Sequence, residues 1–150
     1  MDTPAPQDSV SSEQALALAF ANAWSRLERR LDSSLGAIRG ISLAEYRLLK
    51  ALGDAPGAQA SRVDLAKAVG LTPSGVTRAL RPMEKLGIVS TLKSKRDARL
   101  AIAALTPAGR ELLGDASGVV SDTMKTLLQR TPKVTADIDN FIELLLDLAD

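Results

Sequence analysis

The sequence predicts a mainly α fold with a small β wing. Three observations carry that prediction. Apolar residues recur at three- and four-residue spacing over most of the 150 residues. Capping residues and glycines cut that pattern into separate helices. Only Ile88–Lys93 and Arg99–Leu105 read as strands, with Ser94–Ala98 as the turn between them.

The first ten residues are polar and hold two prolines, a composition that predicts a flexible tail. They lack the positive start of a secretory signal, and the apolar run Ala15–Ala21 is too short to span a bilayer. A cytoplasmic location and no membrane contact are therefore expected. Residues 11–150 read as one domain. Ser11 and Gln14 form a capping box that opens a helix from about Ser12 to Ile38. Its stripe, Leu16, Phe20, Trp24, Leu27, Leu31, Leu35 and Ile38, is long for packing inside one small domain, and we assign it to both core and an interface. Ser42 and Glu45 cap a second helix, with Tyr46, Leu48, Leu49 and Leu52 as its buried side. Residues 53–57 form a loop rich in turn formers.

Ser61 caps the next helix, Asp64 supplies a short-armed capping box, and Gly70 ends it. Thr72-Pro73 opens another helix, which runs to about Leu86 and ends at Gly87. Val76, Leu80 and Met83 form its buried stripe, continued by Leu86. Two helices joined so tightly make a helix-turn-helix, whose second helix can enter a DNA major groove. Thr72, Ser74, Thr77, Arg78 and Arg81 stand on its other faces. Short hydroxyls and Arg are the side chains that reach phosphates and base edges. Gly75 leaves room for backbone to approach a target. Pro82 cannot donate to the Arg78 carbonyl and predicts a bend or a loosened turn beyond the DNA-facing residues.

Lys93, Lys95, Arg96 and Arg99 crowd the hairpin tip beside the single acid Asp97. Arg99 is assigned to a minor groove, with Asp97 as the carboxylate that orients it. Net charge is only +1, but residues 61–99 hold nine Lys or Arg against three Asp or Glu, a net +6. The flanking segments are net acidic, so one surface is set apart for phosphate.

Asp97-x-Arg99 followed by Leu105-Thr106-x-x-Gly109, together with Leu71–Arg78 and Leu86-Gly87-Ile88-Val89, resembles the MarR-type winged helix-turn-helix regulators. The layout covers most of the chain, whereas the motifs lie between about Leu65 and Gly109. Thr91 departs from the pattern, standing where many relatives carry Arg. The resemblance implies a dimer on a pseudo-palindromic operator, repression, and a small-molecule effector held between dimerisation helices and the DNA-binding lobe. Trp24 and Tyr46 are the candidate pocket residues, against the simpler reading that both are plain core.

After the wing, Thr106-Pro107 starts a long helix, Arg130-Thr131-Pro132 breaks it, and a last helix runs from about Val134 to Leu148. Residues 11–40 and 106–150 are thus assigned to dimerisation and 42–105 to the winged-helix lobe. The ends present more apolar surface than that lobe can cover, and a twofold homodimer is the simplest closed solution. A winged helix used only for protein contact is the competing reading. An enzyme is disfavoured, because a chain without His, Cys or a glycine-rich phosphate loop assembles no acid, base and nucleophile. No cofactor or metal is expected.

Overall fold

The computed structural model describes residues 11–97 and 100–149, and the tail expected over residues 1–10 lies outside them. Seven helices and three strands follow in the order α1 (Ser12–Arg39), α2 (Leu43–Asp54), β1 (Gln59–Ser61), α3 (Arg62–Val69), α4 (Pro73–Lys85), β2 (Val89–Lys93), β3 (Ala101–Leu105), α5 (Pro107–Leu128), α6 (Pro132–Ala136) and α7 (Ile138–Asp147). The sheet is antiparallel in the order β1-β3-β2, with Val89 opposite Leu105 and Lys93 opposite Ala101.

Local chemistry sets the boundaries. Ser11 and Ser42 each accept the N–H three residues on, and Gln14 and Glu45 return the bond to the cap backbone. The α2 start is held a second time, because Asp32 on α1 accepts the Leu43 N–H at 2.6 Å. Ser42→Ala should still cost about 1 kcal/mol, read as a lower urea midpoint at unchanged slope. Gly70 and Gly87 adopt φ of 69° and 72°, the left-handed conformation that closes α3 and the turn after α4.

The core forms two clusters. One joins Leu48, Leu49 and Leu52 of α2 to Leu65 and Val69 of α3, Val76, Leu80 and Met83 of α4, and Val89, Ala103 and Leu105 of the sheet. The other joins Leu31 and Leu35 of α1 to Leu43 and to Ala116 of α5. An Arg39–Asp115 ion pair ties α1 to α5 at their surface.

Five expectations need correction. The segment before α3 contributes a third strand, β1, which pairs with β3 after a single 3₁₀ turn at Pro56–Ala58. Its three residues are too few to show an alternating pattern. Strand ends shift inward, to Val89 and Ala101. Asp64 does not complete a capping box: its short carboxylate accepts from the Ser61 hydroxyl at 2.8 Å instead of the cap backbone. Leu86 does not extend the buried stripe of α4. It is 77% exposed, because the helix has already ended and the backbone is turning toward Gly87. The last helix is two helices, since Asp137 leaves the helical region (φ −146°) and its side chain caps Asn140 at the start of α7. α4, in contrast, is assigned as helix without a break through Pro82.

Candidate nucleic-acid interface

α4 is amphipathic around a fixed start. Thr72 Oγ1 accepts the Gly75 N–H at 3.1 Å and lies 3.2 Å from Ser74 Oγ. A Cβ on Gly75 would stand 3.2 Å from that same Thr72 hydroxyl, so the absent side chain protects the cap as well as leaving space outside it. Val76, Leu80 and Met83 face inward. Thr72, Ser74, Arg78 and Arg81 are exposed. Thr77 is half-buried, and its hydroxyl donates to the Pro73 carbonyl at 3.0 Å, which occupies its donor within the helix.

The β2–β3 hairpin follows α4 through Leu86-Gly87-Ile88. Ser94 Oγ accepts the backbone N–H groups of Arg96 (3.2 Å) and Asp97 (3.3 Å), and this local turn shapes the tip. Lys93, Lys95, Arg96 and Asp97 are exposed. Among the described residues, none of Arg78, Arg81, Lys93, Lys95 or Arg96 is engaged in an ion pair. These five cations therefore remain free to meet an external anion. Arg99 lies outside the described residues, and its pairing with Asp97 with it.

Two residues not singled out from sequence belong to this surface. Arg62, first in α3, and Glu84, in the last turn of α4, form a half-sheltered ion pair of 3.1 Å, with 18% and 28% of their side chains exposed. Thr91 of β2 donates its hydroxyl to the same Glu84 oxygen and accepts from Arg62 Nη2 at 3.3 Å. The three are far apart in sequence and share no helical or strand period, so no spacing signals them.

The two candidate pocket residues are not brought together. Tyr46 lines an open pocket of about 470 Å³ with Arg47, Lys50, Ala68 and Val69, and Trp24 is not part of that lining. Tyr46 sits between α2 and α5, its hydroxyl 3.4 Å from Ser117 Oγ. Lys50 is hydrogen-bonded to Asp54 at 2.5 Å, which holds its ammonium above the ordinary lysine pKa. Arg47 donates to the Val69 carbonyl at 3.2 Å. No described helix is long and apolar enough to cross a membrane.

Comparison with known proteins places this geometry. A model of the MarR family matches residues 39–100, from the end of α1 through the wing. No curated protein sequence matches the chain. Solved structures match nearly its full length. The transcriptional regulator BldR from Sulfolobus solfataricus is 25% identical with a TM-score of 0.76, over 95% of this chain and 96% of that one. Sco3205 from Streptomyces coelicolor, a MarR family regulator solved in complex with DNA, is 24% identical with a TM-score of 0.79, over 94% and 91%. Wild-type MarR from E. coli, in its apo form, is 22% identical with a TM-score of 0.75, over 87% and 96%. Residues 39–100 are thus a MarR family segment, and the chain as a whole has the winged helix-turn-helix fold of that family's transcriptional regulators.

Proposed function

We propose that this protein is a dimeric, sequence-specific DNA-binding transcriptional regulator, with α4 as its recognition helix and the β2–β3 hairpin as its wing. One observation carries the reading. The exposed face of α4 and the adjoining hairpin tip gather Arg78, Arg81, Lys93, Lys95 and Arg96, all solvent-facing and none in an ion pair among the described residues. Sco3205 and a mutant MarR from E. coli, which share this fold, have been solved with DNA and with operator DNA respectively.

The roles divide by reach. Ser74 and Arg78 read or position on the major groove from the first turns of α4, with Thr77 limited to its methyl and to accepting through its hydroxyl oxygen, whose proton stays on Pro73. Thr72, Arg81, Lys93 and Lys95 hold phosphate, and Arg96 meets phosphate or minor groove. Arg99, oriented by Asp97, enters the minor groove. Arg78→Ala should cost about 1–3 kcal/mol and relax preference at one base pair. Lys93→Ala should weaken all duplexes alike and lower the slope of log K against log salt by about one.

Dimerisation rests on apolar surface the single chain leaves open. Leu16 and Phe20 of α1 share a groove of about 440 Å³ with Leu148, just past α7. Ile138, Phe141 and Ile142 are also exposed on α7. A twofold copy covers these faces and presents two recognition helices about 34–36 Å apart. Repression relieved by a small ligand is the form of control the MarR resemblance implies. BpsR from Bordetella bronchiseptica, 18% identical, is described as regulated in its DNA binding by 6-hydroxynicotinic acid. Here we place an effector at the Tyr46 pocket, where Arg47 adds a positive charge beside the mutually neutralised Lys50–Asp54 pair, and leave Trp24 to the dimer face. Selection of bound duplexes from a random pool tests the whole reading. An inverted repeat is expected. A pool that fails to enrich, with no salt-dependent duplex binding, overturns it.

A further inference from the structure

We propose that Arg62, Glu84 and Thr91 are positioning residues that fix the wing relative to the recognition helix, a role that rests on the DNA-binding reading above. Three elements converge on one carboxylate oxygen. Glu84 Oε1, at the end of α4, accepts from Arg62 Nη2 at 3.1 Å and from the Thr91 hydroxyl in β2, while Arg62 Nη2 also reaches Thr91 Oγ1 at 3.3 Å. The start of α3, the end of α4 and the middle of the first wing strand are thereby tied together.

The surroundings explain why such a tie matters. Pro82 has removed one hydrogen bond from the last turns of α4, and Gly87 turns the chain with φ of 72° only three residues after Glu84. The root of the wing would otherwise hinge on that turn. Thr91 lies about 13 Å from Lys95 at roughly 3.3 Å per residue, so a tilt of roughly 10° about Thr91 carries Lys95 about 2 Å. That displacement exceeds the whole useful range of a hydrogen bond.

Charge points the same way. Glu84 is a carboxylate inside the most basic segment of the chain, and Arg62 neutralises it, so it does not oppose an approaching phosphate. Arg62 is correspondingly committed. Its Nε is buried and has no hydrogen-bond partner among the described residues, which leaves the Nη2 contacts to hold the guanidinium in place. A cation fixed this way acts inside the protein and contacts no phosphate.

A double-mutant cycle separates this role from simple loss of stability and from direct DNA contact. Thr91→Val removes the hydroxyl and keeps the shape, and Thr91→Ser restores it. Binding is measured on the duplex recovered by selection and on a mixed-sequence duplex of about 30 base pairs, long enough for both half-sites. Thr91→Val should weaken binding about fivefold in the native wing and less than about twofold when Lys93, Lys95, Arg96 and Arg99 are already replaced by alanine, because misplacing absent cations has no cost. Glu84→Ala, which removes the shared acceptor, should behave alike, Thr91→Ser should recover affinity, and Arg62→Ala should weaken binding at an unchanged salt slope.

Equal losses in both wing backgrounds would overturn the proposal, as would unaltered affinity in Thr91→Val. A slope lowered by about one in Arg62→Ala would show a direct phosphate contact and overturn it as well. Should the unmodified protein bind neither duplex at any salt concentration, the DNA-binding reading falls first and this proposal with it.

Discussion

Phe141→Asp should convert the protein to a monomer and weaken its binding to an inverted repeat by about 10²–10⁴-fold. Phe141 is 42% exposed in the single chain, so a carboxylate there meets water and leaves each protomer folded. In the proposed dimer this position would face the partner, because it lies beside Ile138 and Ile142 of α7 and Leu148 just past it, which are also exposed. Single exposed apolar residues are ordinary, but a run of them along one helix, joined by a groove to Leu16 and Phe20, is not. Burying an unpaired carboxylate in that surface costs more than the lost contact area returns. Each half-site would then be bound separately, without the effective concentration that linkage provides. Light scattering reads the mass, a salt-controlled duplex titration reads the affinity, and a thermal melt shows the protomer intact. A variant that stays dimeric, or a monomer that binds as tightly, removes α7 from the interface.

What could be read in the sequence and what could not divides along a physical line. Ser11, Ser42, Ser61 and Thr72 each cap their own helix, and Val76, Leu80 and Met83 are buried, because these features act over three or four residues of one chain segment. The hairpin was legible for the same reason. Strand β1 was not, since three residues paired to a strand more than forty positions away carry no local period. The Arg62–Glu84–Thr91 cluster was invisible on the same ground. The stripe of α1 shows the division within one helix. Leu31 and Leu35 are buried against Leu43 and Ala116, whereas Leu16, Phe20 and Trp24 remain exposed. Periodicity identifies an apolar face and is silent on whether the chain itself or a second copy covers it.

Gly109→Ala should destabilise the protein by about 3 kcal/mol, at the upper end of what overpacking ordinarily costs. For a chain of this size the expected fall in Tm is roughly 6–12 °C. The residue closes the Leu105-Thr106-x-x-Gly109 motif, and the reason is a close approach. A Cβ built there would overlap the Ile88 carbonyl oxygen and stand 2.7 Å from Leu105 Cδ1. The leucine tip can move, but the carbonyl cannot move cheaply. It accepts from the Thr106 N–H at 3.1 Å and from the Thr106 hydroxyl at 2.9 Å, while the Ile88 N–H donates to Met83 at 2.9 Å. That hydroxyl shares its one proton with the Gly87 carbonyl at 2.6 Å and accepts the Gly109 N–H at 3.0 Å. One methyl at this point therefore strains the junction of α4, β2 and α5 together, and through it the angle between recognition helix and wing. Gly114, one and a half turns further along α5, supplies the internal control. A Cβ there meets nothing within 4 Å, so Gly114→Ala should raise stability by about 0.5–1 kcal/mol through lost backbone freedom in the unfolded chain. Equal melting shifts for the two variants would show that helix propensity, and not the carbonyl contact, governs Gly109.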